Sequence, residues 1–206
     1  MSSVNPYYTF QYSQPEAYRF SHDSVFMARL VFERLRAQAI QEMQALDLCA
    51  GCGIIGLDFQ FHCQKELGIL PKSFDFVEIQ SEYEEHFIKN SSAFPGTRFL
   101  NHDFANLLQP EFAQKYDLIL CNPPYFRRGQ GKVSQSAFKN RCRFFTDTEF
   151  KNLLEVFTHV LKPGGRGYLL LRDLSDHGFD WWHELSSNLR AEKVADVRGT
   201  ALIEIR

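Results

Sequence analysis

The chain has 206 residues, of which 44% are hydrophobic and 23% are charged. This composition excludes a disordered or collagen-like chain, and we expect a single domain over 1–206, with an N-terminal extension and first helix over 1–44 and a core over 45–206. The 23 basic and 25 acidic side chains give a net charge of −2, which argues against a strongly basic nucleic-acid binder.

The pattern of apolar residues predicts an α/β fold. A first helix is expected to begin near Ser21, capped by Ser21 or Asp23, because apolar residues follow at helical spacing. In chain order the pattern then predicts a strand at 45–50, a helix at 54–67, a strand at 74–79, a helix at 81–92, a strand at 98–101, a short helix at 106–114, a strand at 116–121, a helix at 146–161, a strand at 167–171, a helix at 177–189 and a hairpin of 193–198 with 201–206. Alternating strands and helices predict a mainly parallel sheet covered on both faces, with one antiparallel strand from the hairpin.

The cysteines indicate reduced thiols rather than disulfides or a metal site. Five cysteines make an odd number, and no signal peptide precedes them, so we expect a cytoplasmic protein. Cys49 and Cys52 form a CxxC motif without a second pair at zinc spacing, so no metal is expected. No apolar run reaches the length of a membrane span, and neither a membrane nor an obligate protein partner is expected.

A glycine-rich turn follows the first predicted strand. Gly51, Gly53 and Gly56 fit the spacing GxGxxG, which lets the backbone approach a ligand at the N-terminus of the next helix. Glu78 ends the second predicted strand, where a carboxylate can bind both hydroxyls of a ribose. At this point NAD and S-adenosylmethionine both remain possible ligands.

A second motif, Asn122-Pro123-Pro124-Tyr125, follows the fourth predicted strand. The prolines make a rigid turn at the carboxyl edge of the sheet, where ligands bind in open α/β folds. The side-chain carbonyl of Asn122 and the backbone carbonyl of Pro123 can accept two hydrogen bonds from a planar NH₂ group, and Tyr125 offers a ring for stacking. This turn therefore indicates a site for a planar amine.

The basic residues are unevenly distributed. Residues 122–146 carry six of the 23 basic side chains and no carboxylate, namely Arg127, Arg128, Lys132, Lys139, Arg141 and Arg143. Lys and Arg in such a segment can neutralise RNA phosphates, while Phe126 or Tyr125 stacks on a splayed base.

Over residues 45–172 the sequence resembles the class I S-adenosylmethionine-dependent methyltransferases that act on planar amino groups, through DLCAGCG, VEIQ and NPPY. The resemblance implies a Rossmann-like, seven-stranded sheet with a C-terminal β-hairpin. Two branches carry NPPY: adenine-N6 methyltransferases, and HemK-like enzymes that methylate a glutamine side chain of release factors.

Three features favour adenine in RNA. The region before the glycine turn is too short for the helical domain of HemK-like enzymes. The segment from Gln14 to Ala28 resembles the entry segment of the bacterial tRNA(Val) adenine-N6 methyltransferase family, in which a motif ending in Asp closes over the cofactor. Phe126 and the basic residues after it also resemble that family. RNA, most simply tRNA, is therefore the expected substrate, with protein-glutamine methylation as the alternative.

The resemblance implies a role for each candidate residue. The cofactor S-adenosylmethionine would be bound by Asp23, Asp47, Gly51, Gly53, Ile54, Glu78, Ile79, Asp103, Phe104 and Asn122. The catalytic turn would be Asn122, Pro123, Pro124 and Tyr125, and the RNA would contact Phe126, Arg127, Arg128, Lys132 and Arg143. An inactive fold that only binds RNA would lack cofactor binding, and a NAD oxidoreductase is disfavoured because no hydride-transfer residues accompany the turn.

Overall fold

The structure is a computed structural model that describes residues 11–127, 133–145, 149–174 and 180–206. Its main sheet contains β1 (Gln44–Leu48), β2 (Ser73–Val77), β3 (Thr97–Leu100), β4 (Tyr116–Cys121), β7 (Leu161–Arg172), β8 (Ala191–Val197) and β9 (Thr200–Ile205). The strand order is β3-β2-β1-β4-β7-β9-β8, and β9 runs antiparallel to both of its neighbours. The predicted fold class, a mostly parallel seven-stranded Rossmann-like sheet with a C-terminal hairpin, is confirmed.

Helices cover both faces of this sheet. The described helices are α1 (His22–Leu35), α2 (Ile54–Leu67), α3 (Glu84–Ser91), α4 (Ala137–Arg141), α5 (Phe150–Val160) and α6 (Trp181–Asn188). Leu118 and Leu120 of β4 share a core with α1 and α2, whereas Ile119 and Cys121 share the opposite core with α5. The strand is apolar on both sides because both of its faces are buried.

Several predicted elements differ in detail. The expected short helix at 106–114 is replaced by two 3₁₀ turns, Phe104–Leu108 and Pro110–Phe112, because Pro110 disfavours a helical conformation at the residue before it. The predicted helix at 146–161 begins at Phe150, with Glu149 as N-cap, and residues 146–148 lie outside the described residues. Ser21 is the N-cap of α1, as predicted, but its side chain makes no capping hydrogen bond.

The strand predicted at 167–171 begins six residues earlier. β7 starts at Leu161, immediately after α5, and passes through Pro163-Gly164-Gly165. Its pairing with β4 jumps from Tyr116↔Leu161 to Leu118↔Arg166, so the irregular stretch contains the proline, which has no N–H to donate.

A small second sheet pairs β5 (Phe126–Arg127) with β6 (Phe144–Phe145). The backbone N–H of Phe126 also donates to the carbonyl of Arg143 at 2.9 Å. The two ends of the basic segment are therefore held side by side. Among the helices of the described ranges, none combines the length and apolar character required to cross a membrane.

Candidate functional site

A cavity of about 350 Å³ lies at the carboxyl ends of the parallel strands. In open α/β sheets ligands bind at this edge, beside the point where the strand order reverses between β1 and β4. The structure brings to this cavity most of the predicted site residues, namely Asp23, Gly51, Ile54, Glu78, Ile79, Asp103, Phe104, Asn122, Pro123, Pro124, Tyr125, Phe126 and Arg143. Asp47 and Gly53 support the cavity without lining it.

The glycine turn after β1 forms one wall of the cavity. Gly51 has a φ of +54° and Gly53 a φ of +85°, both in the left-handed region that glycine adopts readily. Gly51 lines the cavity, whereas Gly53 is the N-cap of α2. A Cβ atom on Gly53 would lie 2.8 Å from the ring of Phe87, so a side chain there would also collide with α3.

Glu78 connects the glycine turn to the end of β2. Its side chain is buried, and its two oxygens accept hydrogen bonds from the backbone N–H groups of Gly51 and Gln80, each at 2.9 Å. Burial raises the pKa of Glu78 above its ordinary value, and these hydrogen bonds oppose the increase. Each carboxylate oxygen has a second lone pair, so Glu78 can still accept hydrogen bonds from two hydroxyl groups of a ligand.

Asp47 lies beneath the glycine turn and is fully buried. Its Oδ2 accepts a hydrogen bond from the backbone N–H of Gly56 at 2.9 Å, and its Oδ1 has no hydrogen-bond partner among the described residues. Burial raises the pKa of Asp47 to about 8, opposed by the Gly56 hydrogen bond and reinforced by the negative charge of Glu78. Asp47 therefore positions the first turn of α2 and holds a proton at neutral pH.

The contribution of Asp47 to the free energy of unfolding should fall as the pH rises from about 4 to about 8. In this range the folded state keeps a proton that the unfolded state has lost, so a higher pH favours unfolding. One such group contributes a slope of roughly 1 kcal/mol per pH unit. Asp47→Asn cannot titrate and should flatten this slope in urea unfolding at several pH values, whereas the exposed control Asp196→Asn should not. Parallel curves for Asp47→Asn and the wild type would contradict the assigned protonation.

The far end of the cavity lies beside β2 and β3. Ile79 is 37% exposed and offers an apolar surface to the cavity, which Phe104 also lines. Oδ1 of Asp103 accepts from the N–H of Ala105 at 2.8 Å and so caps the 3₁₀ turn that carries Phe104. Asp103 is thus both a turn residue and a lining residue, and this end suits a flat ring with polar edges.

The Asn-Pro-Pro-Tyr turn follows β4 and lines the middle of the cavity. The hydroxyl of Tyr125 donates a 2.5 Å hydrogen bond to Oδ1 of Asn122, and Nδ2 of Asn122 donates to Oγ of Ser24 at 3.4 Å. Burial raises the pKa of Tyr125 far above neutrality, so the phenol remains a donor. The amide of Asn122 is therefore oriented from both ends, a role of Tyr125 that its position in the motif does not reveal.

The basic segment is only partly described. The guanidinium of Arg143 lies 5.5 Å from the ring centroid of Phe126 and 5.6 Å from that of Phe144, a cation–π arrangement of three residues that line the cavity. The backbone of Arg127 belongs to β5, but its side chain, together with Arg128 and Lys132, lies outside the described residues. The predicted RNA contacts of these three side chains remain predictions.

Other lining residues were not assigned to the site from the sequence, including Tyr18, Ser24, Gln80, Tyr83, Arg141, Cys142 and Arg172. Cys142 Sγ accepts a hydrogen bond from Nε2 of Gln80 at 3.3 Å and lies 3.2 Å from the hydroxyl of Tyr83. These partners are 62 and 59 residues away in the chain, so no local pattern could have revealed the contact. Within the described ranges no group of three or more His, Cys, Asp or Glu residues could hold a metal ion.

Comparison with known families adds an independent observation. The profile of the family described as "Methyltransferase small domain" matches residues 16–169. The chain belongs to this family. The resemblance to class I methyltransferases that rests on the glycine turn, Glu78 and the Asn-Pro-Pro-Tyr turn is confirmed.

Two curated relatives of this methyltransferase-family chain are named tRNA1(Val) (adenine(37)-N6)-methyltransferase. The relative from Shewanella sp. (strain W3-18-1) is 33% identical over 147 residues, which cover 70% of this chain and 58% of the relative. The relative from Aliivibrio fischeri (strain ATCC 700601 / ES114) is 27% identical over 128 residues, which cover 62% of this chain and 51% of the relative. The matches therefore span little more than half the length of these relatives.

Solved structures share the fold of this family member. TrmN from Thermus thermophilus superposes with a TM-score of 0.56 at 19% identity, covering 88% of this chain and 48% of that one. The ribosomal protein L11 methylase from Lactobacillus delbrueckii subsp. bulgaricus also has a TM-score of 0.56, at 15% identity, covering 91% of this chain and 78% of that one. At these identities the likeness concerns the fold alone.

Proposed function

We propose that this protein transfers a methyl group from S-adenosylmethionine to N6 of an adenine in RNA, most simply in tRNA, through one domain with its core over 45–206. The observation that carries the proposal is the position of Asn122 and Tyr125 at the carboxyl end of β4, facing the same cavity as Gly51 and Glu78. One wall can hold a nucleoside with an amino-acid tail, and the middle of the cavity can hold a planar amine. The names of the curated relatives support the same substrate class.

The lining residues have the chemistry that S-adenosylmethionine requires. Glu78 would accept the ribose hydroxyls, Ile79 and Phe104 would contact the adenine faces, and Asp103 would accept from the adenine edge. Gly51 would lie along the amino-acid end, since no side chain projects there. When bound, the cofactor supplies a methyl group on a positively charged sulfonium, and the buried carboxyl group of Glu78 suits a positively charged ligand.

The Asn-Pro-Pro-Tyr turn would orient the target amine. Oδ1 of Asn122 already accepts from Tyr125, and its second lone pair, together with the carbonyl of Pro123, can accept from the two N–H groups of the amine. As the amine nitrogen forms its bond to carbon it gains positive charge, so these two hydrogen bonds strengthen in the transition state. The protein otherwise contributes proximity and orientation.

A methyl-transfer assay with two acceptors tests the proposal. The protein is incubated with tritiated S-adenosylmethionine and either an unmodified tRNA(Val) transcript or a purified release factor. We expect tritium in the RNA, and N6-methyladenosine as the product in mass spectrometry of the digested nucleosides. Incorporation only into the release factor would instead support protein-glutamine methylation, and binding of RNA without binding of cofactor would indicate an inactive fold.

Replacing Arg127, Arg128 and Lys132 together by Gln should weaken tRNA binding and flatten its dependence on salt. Each phosphate contact adds about 0.9 or less to the slope of log affinity against log salt concentration, because bound counterions are released. Titration of labelled tRNA at three salt concentrations measures both quantities.

Cofactor affinity and melting temperature serve as controls for this triple variant. Both should stay nearly unchanged, because charged side chains that bind RNA rather than other parts of the protein contribute little to stability. A melting temperature several degrees lower would assign the three side chains to the fold, and an unchanged salt slope would contradict their role in RNA binding.

A further inference from the structure

Arg172 reaches the cavity from a strand that the sequence motifs do not mark. It is the last residue of β7, three positions beyond Leu169, which pairs with Cys121 of β4. Because β4 and β7 are parallel neighbours, Arg172 leaves the sheet at the same edge as the Asn-Pro-Pro-Tyr turn, and it lines the same cavity.

The charges that line the cavity are arranged along the sheet edge. Glu78 and Asp103 follow β2 and β3, at the end assigned to the nucleoside of the cofactor, whereas Arg172 lies at the β7 end, beyond the turn assigned to the target amine. Asp23, on α1, is the further acidic lining residue. Arg172 therefore places a positive charge at the β7 end of the cavity, in addition to Arg141 and Arg143 of the basic segment, which also line it.

The surroundings of Arg172 leave its charge available for a ligand. Its side chain is exposed, and it forms no ion pair with any residue in the described ranges. Its charge acts on the phenol of Tyr125, where it opposes the larger effects of burial and of Asp23, which raise the pKa of Tyr125. Arg172 is therefore close to the aromatic ring that is assigned to the target base.

We propose that the guanidinium of Arg172 binds a phosphate group of the RNA next to the target adenosine. A guanidinium matches a phosphate with two parallel N–H···O hydrogen bonds, and it cannot lose its charge at neutral pH. When a base enters the cavity, the phosphates of its nucleotide come close to the cavity too. A cation that binds one of them positions the nucleotide but does not distinguish one base from another. The inference rests on the proposed RNA substrate, and it adds that Arg172 holds the RNA backbone beside the target adenosine.

The test compares Arg172→Gln with the control Arg190→Gln, an exposed arginine after α6 that does not line the cavity. The probe is a fluorescently labelled anticodon arm of tRNA(Val), titrated at three salt concentrations. Arg172→Gln should weaken binding about 10-fold and lower the salt slope by up to about 0.9, whereas Arg190→Gln should change neither. Arg172→Lys should restore part of the affinity, since it keeps a point charge without the paired geometry.

A second pair of probes locates the contact. Each carries one uncharged methylphosphonate in place of a phosphate flanking the target adenosine. When the methylphosphonate replaces the contacted phosphate, the wild type should bind this probe more weakly than the unmodified RNA. Arg172→Gln should bind the two RNAs equally well. Equal losses for the wild type and the variant at both positions would overturn the inference.

Two controls separate the possible failures. Calorimetric affinity for S-adenosylhomocysteine should be the same in the wild type and in Arg172→Gln, and a loss there without a loss of RNA affinity would assign Arg172 to the cofactor instead. If the wild type binds the RNA and Arg172→Gln binds it equally well, this inference alone is overturned. A wild type that neither binds nor methylates the RNA would overturn the proposed function and this inference with it.

Discussion

Asn122→Ala should reduce turnover at least about 100-fold while it leaves the affinity for S-adenosylmethionine within a few fold. The substitution removes the acceptor proposed for the target amine, and the lost hydrogen bond is one that strengthens as the nitrogen becomes positive. Single-turnover rates with saturating RNA, together with calorimetric titration of the cofactor, measure the two effects separately.

Tyr125→Phe is the matched control for Asn122→Ala. Both variants abolish the 2.5 Å hydrogen bond between the two side chains, but only Asn122→Ala removes the acceptor itself. We expect Tyr125→Phe to keep the ring and to lose much less turnover. Near-normal turnover of Asn122→Ala would refute the assignment, and equal losses in the two variants would show that orientation by Tyr125 accounts for the whole effect.

Glu78→Ala should weaken S-adenosylmethionine binding by about 10- to 100-fold, since a ribose diol would lose a charged acceptor. The variant also leaves the N–H groups of Gly51 and Gln80 without their acceptor, so the glycine turn loses its link to β2. Glu78→Gln keeps one oxygen of the same size and should lose less affinity. Isothermal titration calorimetry measures all of these changes.

The exposed neighbour Glu82 supplies the control for Glu78. Glu82→Ala removes the same charge from the same region and should leave cofactor affinity unchanged. If Glu78→Ala binds the cofactor as tightly as Glu82→Ala does, Glu78 is only a structural carboxylate of the turn. A melting-temperature measurement on each variant distinguishes a lost ligand contact from a destabilised fold.

The sequence alone was sufficient to predict much of this fold and many of the residues that line the cavity. Alternating strands and helices imply parallel neighbours, and the carboxyl ends of parallel strands meet at one edge. Motifs that follow β1, β2 and β4, such as Gly51, Glu78 and Asn122, were therefore expected in one site before their distances were known. These site residues could be predicted because the Asn-Pro-Pro-Tyr turn and Glu78 are each recognisable from the few residues around them in the sequence.

The sequence pattern was less reliable in predicting where elements begin and end near proline residues. The irregular pairing opposite β4 allows β7 to begin before Pro163, which the pattern alone interpreted as a break. Pro110 divides an expected helix into two short turns. In the first case a hydrogen-bond partner elsewhere in the chain decides where the element begins, whereas in the second the proline acts on the residue before it.

The tertiary structure decided how the site residues are supported and charged. Asp47 belongs to the same motif as Gly51, yet burial beneath the turn makes it a protonated support rather than a lining residue. The hydrogen bond from Tyr125 to Asn122 and the position of Arg172 in the cavity lining likewise depend on tertiary packing. Sequence by itself determined which chemical groups meet at the sheet edge, because alternating strands and helices predict parallel strands whose carboxyl ends lie at one edge. Only the folded chain decided their protonation and orientation, because desolvation and hydrogen bonding depend on residues distant in sequence.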